Sequence, residues 1–133
     1  MKIEELMVGN IFGYIDEDKL VPVVVMKIDG QSDIVCLRQS DGHIFNTMID
    51  FLLPIPLTPE ILEKNGFVYK EGEIGLYGVT TAPHYVRDDV PFEVFCDGEP
   101  FAIWFREPVN IKYLHEIQHA LRFCGIDKKI TLP

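Results

Sequence analysis

The sequence predicts an α+β fold. It reads as an N-terminal SH3-like small β-barrel or twisted meander, then a short helix, β-hairpins and a C-terminal amphipathic helix. Three observations predict it. Short runs rich in β-branched and aromatic residues fill the first half, a Pro- and Leu-rich hinge follows at 52–58, and a 3.6-residue apolar period governs the last helix. The hinge suggests units 1–57 and 58–133, packed against each other as one compact domain.

The early runs are "NIFGYI", "VPVVVMKI", "IVCLRQ" and "HIFNTMIDF". Asp29-Gly30 and Asp41-Gly42 fall between them, and Asp-Gly favours the positive-φ turns that close hairpins. Several strands in so few residues must curl to cover an apolar face. Pro22 marks a strand start or an edge, because it cannot donate to a ladder.

In "LLPIPLTPEILEKNGF", Pro54 and Pro56 hold the chain extended. Thr58 suits an N-cap, Pro59 the first helical position and Glu60 the positive helix end. Asn65-Gly66 stops a helix of about two turns. So short a helix needs docking through Ile61 and Leu62. Strands return in "FVYKEGEIGLYGV", "PFEVFC" and "FAIWFR", the last two flanking a hairpin turn at 97–100. Phe92, Val94 and Cys96 share one face of their strand, as do Phe101, Ile103 and Phe105. Phe95 and Trp104 point the other way, so either both faces are buried, under the final helix and against the barrel, which is the favoured reading, or Phe95 and Trp104 form a contact surface. "TAPHYVRDDVP" reads as a loop whose His84, Arg87, Asp88 and Asp89 form either a site cluster or a locally paired, solvated connection.

The chain of 133 residues carries a formal charge of −9, with nine acids and four bases in residues 1–57 and twelve and eight in the remainder. Even acidity argues against nucleic acid, which is held through Lys and Arg. The nearest basic strip is Lys112, Arg122, Lys128 and Lys129, diluted by Glu116 and Asp127. Cys36, Cys96 and Cys124 are odd in number and form no C-x-x-C, which suits a reducing cytoplasm. The amino terminus lacks a signal-like apolar run, and no stretch is long enough to span a membrane, so the expected location is cytoplasmic.

Asn110 is the expected cap of the last helix, with Leu114, Ile117, Leu121 and Cys124 as its apolar stripe and Gly125 as its stop. "HEIQH" at 115–119 spells the zinc-peptidase pattern. Two imidazoles at i and i+4 can reach one ion, and Glu116 could act as base on its water. The wheel sets His115 and His119 on the side opposite the stripe, beside Lys112 and Arg122, whose charge opposes a divalent ion. A catalytic zinc also needs a third protein ligand. After the motif only Cys124 and Asp127 are available, and upstream only His84, Cys96 or Glu107. The motif is therefore read as accidental, with no catalytic residue, metal or cofactor assigned. A zinc-dependent hydrolase remains one alternative and a nucleic-acid-binding barrel another. Cys36 and Cys124 read as core. Gly72, Gly75 and Gly78 are spaced like strand or bulge residues and form no phosphate loop.

The hinge "LLPIPLTPEILEKNGF" together with "IKYLHEIQHALRFCG" resembles a group of small uncharacterised proteins of Bacteroides-type phages, prophages and mobile elements. Members carry an L-x-P-I-P-L-T hinge, a helix ending in Gly-Phe and a terminal I-K-Y-h-H-x-h-Q helix (h apolar). The match runs nearly the whole chain in order, and the loop around His84 departs from the pattern. In that group the positions of His115 and Gln118 are kept, whereas Gln commonly stands for Glu116 and Asn for His119. The resemblance thus implies no metal pair, and it brings a fold and a setting without an activity. The functional expectation is a non-enzymatic accessory or protein-binding module with an unidentified protein partner.

Overall fold

A computed structural model describes residues 6–71, 83–96, 101–104, 108–126 and 129–133, with the side chains of Trp104 and Pro108 outside the description. Gly72, Gly75, Gly78, Phe105, Glu107, Asp127, Lys128 and the 97–100 turn lie outside the described residues. The chain is α+β with two antiparallel sheets and a C-terminal helix, and it divides into compact units Met1–Ile55 and Pro56–Pro133.

The first unit is a four-stranded meander in the order β1 (Ile11–Asp16), β2 (Lys19–Asp29), β3 (Ile34–Gln39), β4 (Ile44–Met48), followed by a 3-10 turn at Ile49–Phe51. The Asp41-Gly42 turn follows expectation: Gly42 sits at φ +89° and Asp41 Oδ1 accepts from His43 N at 2.9 Å. After β2 it is Asp33, at φ 57°, and not Gly30 that takes the left-handed conformation. There Asp29 receives the Ser32 hydroxyl and the Gln31 N–H, which hold its carboxyl below the ordinary range. The β1–β2 turn carries no glycine and was not legible. Glu17 and Asp18 both take positive φ, 48° and 63°, in the two-residue connection that right-twisted strands demand.

Pro22 lies inside β2 and does not start it, opposite Gly13. Gly13 exchanges both backbone bonds with Leu53 (2.7 and 2.9 Å), so its polar groups face away from β2. Pro22 N therefore points to the β3 side, where β3 has already ended at Gln39 opposite Val23. The ring costs the ladder nothing because no strand is there to bond. A Cβ on Gly13 would meet the flexible end of exposed Leu20 (Cδ1, 2.8 Å) and lie at ordinary contact distance, 3.4 Å, from Leu53 O, so a larger residue there calls for a shift of Leu20.

The sheet coils. Tyr14 of β1 and Phe45 of β4, from opposite ends of the strand order, touch with centroids 5.0 Å apart. Inside the curl, Leu6, Phe12, Val23, Val25, Val35, Leu37, Ile49 and Leu52 form the core. A register shift between Val25 and Lys27 adds the local twist such curvature needs. The described residues form no closed barrel; the Leu53 bridge is a single-residue contact on the free side of β1.

The second unit contains α1 (Pro59–Lys64) and a five-stranded sheet in the order β5 (Val68–Lys70), β6 (His84–Val86), β7 (Val94–Phe95), β8 (Phe101–Trp104), β9 (Pro108–Ile111), then α2 (Leu114–Phe123). Helix α1 is as expected: Thr58 Oγ1 accepts from Ile61 N at 3.3 Å, and Ile61 and Leu62 are buried. Gly66, at φ +86°, donates to Glu63 O, and Phe67 N donates to Leu62 O at 3.0 Å, which closes the helix; Leu62 and Phe67 are both buried. Two expectations are corrected. His84–Val86 is a strand and not loop, since the alternation places buried Tyr85 on the core face between Tyr69 and Val94. Asn110 is not a cap: Pro108–Ile111 pairs with β8, and α2 begins three residues after Ile111.

Candidate functional site

Helix α2 owes its start to Glu116. The Glu116 carboxylate accepts from the backbone N–H groups of both Lys112 and Tyr113 at 3.0 Å, and Glu116 N donates to Tyr113 O. This satisfies donors that the helix end leaves open and sets a negative charge near its positive pole. Gly125 (φ +77°) ends it by donating to Arg122 O, while Ile126 N donates to Leu121 O, both at 2.9 Å. Leu114, Ile117 and Leu121 are buried as the periodicity predicted. Cys124 and Cys36 are half-buried and are not core.

The two histidines do not share an outward face. His115 is buried, only 7% exposed, with its ring stacked on Tyr113 at 5.8 Å and 10°. His119 is half-buried, its ring 5.7 Å from that of His115 and nearly perpendicular. The wheel failed because it weighs only the side facing the core, whereas the chain entering α2 lays Tyr113 over His115. Among the described residues no three His, Cys, Asp or Glu side chains group so as to hold a metal ion. Glu116, the would-be base, is occupied as the helix cap. Of the candidate third ligands, His84 stands 4.0 Å from Glu93 and against the Phe95 ring (5.6 Å), and Cys96 Sγ donates to Pro83 O at 3.4 Å.

His119 opens instead onto an apolar groove of about 470 Å³, lined by Ile103, Val109, Asn110 and Ile111 of β8 and β9 and by Glu116, His119, Ala120 and Phe123 of α2. The helix residues follow i, i+3, i+4, i+7, so they form one continuous face. Ile103 and Ile111 are buried, Val109 is 44% exposed and Phe123 85% exposed. Removal from water lowers the His119 pKa, the Arg122 cation lowers it further, and Glu116 opposes both. The groove is thus an apolar slot with an imidazole at its rim whose neutral form the surroundings favour. The sequence contained the signal, in Ala120 and Phe123 at four-residue steps from Glu116 and His119, but the zinc spacing drew attention to 115 and 119.

Phe95, from the candidate contact surface, is half-buried and paired with Ala102 and His84. The Arg87 cluster is tied internally. Arg87 grips Asp89 through two bonds (2.6 and 3.2 Å), donates to Asn65 O at 3.0 Å and lies 5.1 Å over the Phe67 ring. Asn65, read only as a helix stop, also exchanges both side-chain bonds with the Thr131 backbone (2.7 and 2.8 Å) and so anchors the chain end. Of the basic strip, Lys112 and Arg122 are exposed, whereas Lys129 joins Lys64, Lys70, Arg87, Asp88 and Asp89 around a separate cleft of about 640 Å³. No helix among the described residues is long and apolar enough to cross a membrane.

Comparison of the chain with protein-family models, with curated proteins and with solved structures gives no match.

Proposed function

We propose that this chain is a non-enzymatic, cytoplasmic protein-binding module of phage or mobile-element origin, which receives an apolar side chain of its partner in the groove beside α2. One observation carries the reading: Phe123, 85% exposed, stands at a groove floored by buried Ile103 and Ile111. Aromatic side chains flanking desolvated slots are what interfaces use as anchors. The origin rests on the hinge and terminal-helix resemblance alone. An SH3-like barrel is likewise our reading of the first unit; its support is the β1–β4 order, the 3-10 turn and the return of Leu53 to β1.

The test is affinity capture from a host lysate with the native chain, Phe123→Glu and Val109→Lys, each checked for folding by circular dichroism. A specific protein retained by the native chain and lost by both variants is expected. Equal retention by Phe123→Glu would remove the groove from the reading. Stoichiometric zinc in untagged protein, lost in His119→Ala and accompanied by peptidase turnover, would replace it with metal hydrolysis.

A further inference from the structure

We propose that the free edge of β4 pairs with β4 of a second copy, antiparallel and centred on Asn46, to join two four-stranded sheets. This goes beyond the groove reading and does not depend on it, since every residue involved lies in the first unit.

His43 O accepts from Gln39 N at 2.8 Å, and Ile49 N donates to Asp33 O at 2.9 Å. Antiparallel pairs alternate between bonded and non-bonded, so between these limits Phe45 and Thr47 bond inward to β3. Ile44, Asn46 and Met48 consequently turn their N–H and C=O groups outward, to the side where β4 has no neighbour in the sheet. Proteins blunt such edges with proline, lysine, short length or a covering segment. The other edges among the described residues show those devices. Leu53 bonds to β1; β9 begins with Pro108, and beyond its end Leu57 N donates to Lys112 O; β5 is three residues long and ends in Lys70. Strand β4, Ile-Phe-Asn-Thr-Met, has no charge, no proline and no described cover.

The same five residues are self-complementary. Centred on Asn46, a two-fold axis pairs Ile44 with the partner's Met48, and Asn46 with the partner's Asn46. All three outward-facing residues meet as bonded pairs, leaving none of these backbone groups open. Ile44 and Met48, 57% and 49% exposed, fall on the same outer face and cover each other's counterparts on both sides of an amide–amide contact. Continuing outward, Gly42 meets the partner's Asp50 and Asp41 meets the partner's Phe51, so no acid faces an acid although each chain carries −9. A one-residue slip would lose the bonded phase and the Ile44–Met48 match together. The occupant that fits all of this is a second copy.

The test is sedimentation velocity over a concentration series on the native chain, Asn46→Lys, Asn46→Asp and an equimolar mixture of those two variants. Asn46 is exposed, so neither variant should disturb the fold; circular dichroism checks this. The native chain should move from monomer to dimer mass as concentration rises. Each variant alone should stay monomeric because like charges meet on the axis, and the mixture should recover dimer mass. A native chain that stays monomeric to millimolar concentration, variants that dimerise as the native chain does, or a mixture that stays monomeric would each overturn the proposal. Partner capture through Phe123 can fail or succeed without altering these outcomes.

Discussion

The first sheet is made of strands five to eleven residues long. The second is made of strands of two to four residues. In the first, long ladders fix register and the core is filled from within by aliphatics and Phe12. In the second, ladders this short define little by themselves, and the structure relies on helix ends and side-chain ties: Thr58 and Glu116 as caps, Asn65 holding Thr131, and Arg87 clamped between Asp89 and Phe67. A sheet held by its backbone can leave a face or an edge unmodified. A sheet held by side chains has groups displayed around its helices, and the second unit is where the apolar groove opens.

The largest expected effect tests the first half of that contrast. Phe12 is fully buried at the centre of the first core, so Phe12→Ala should cost about 3–5 kcal/mol in urea denaturation. Hydrogen exchange should show β1–β4 amides losing protection while α2 amides keep theirs; joint loss would show that the two units unfold together. Next comes the side-chain dependence of the second unit. Removing the Glu116 carboxylate leaves the Lys112 and Tyr113 N–H groups open, and Glu116→Ala should destabilise α2 by about 1–2 kcal/mol. Glu116→Gln should recover part of the loss, and amide exchange at Lys112 and Tyr113 is the local readout. An unchanged exchange rate would mean the cap is dispensable.

A smaller effect of opposite sign belongs to the first sheet. Glu17 and Asp18 occupy positive φ without being Gly or Asn, so Glu17→Asn with Asp18→Gly should stabilise by about 1 kcal/mol, seen as a higher urea midpoint. The smallest concerns His119. Its folded pKa lies below the unfolded value of 6.5, so the unfolded chain binds the proton more readily. That contribution to stability is present above pH 6.5 and is lost as pH falls through the folded value. The decrease in urea midpoint from pH 7.5 to 5.5 should be larger for the native chain than for His119→Gln. Equal decreases would show that His119 is as well solvated folded as unfolded.

Some of this was readable because its causes are local. Thr58-Pro59 and Asn65-Gly66 bracket α1, Gly125 ends α2, and Leu114, Ile117 and Leu121 are buried, each through interactions within a few residues. The misreadings had distant causes. His84–Val86 resembled a loop because prolines and charges flank it, yet Tyr69 and Val94 give Tyr85 its two neighbours. Asn110 resembled a cap until β8 claimed it as a strand residue. In the candidate site, the spacing of Glu116, His119, Ala120 and Phe123 was present in the chain, but only the approach of β8 and β9 makes that face one wall of a groove.

By itself, the sequence determined where helices stop, which stripe of α2 is apolar, and that the chain is α+β, because capping and periodicity act over one or two turns. The tertiary structure alone decided that Asn110 pairs with β8 as a strand residue, that β8 and β9 wall the groove beside α2, and that Leu53 bonds to β1. Those outcomes depend on which backbone groups and rings meet after the chain has turned back on itself, and such meetings are set by packing between residues that no local pattern links.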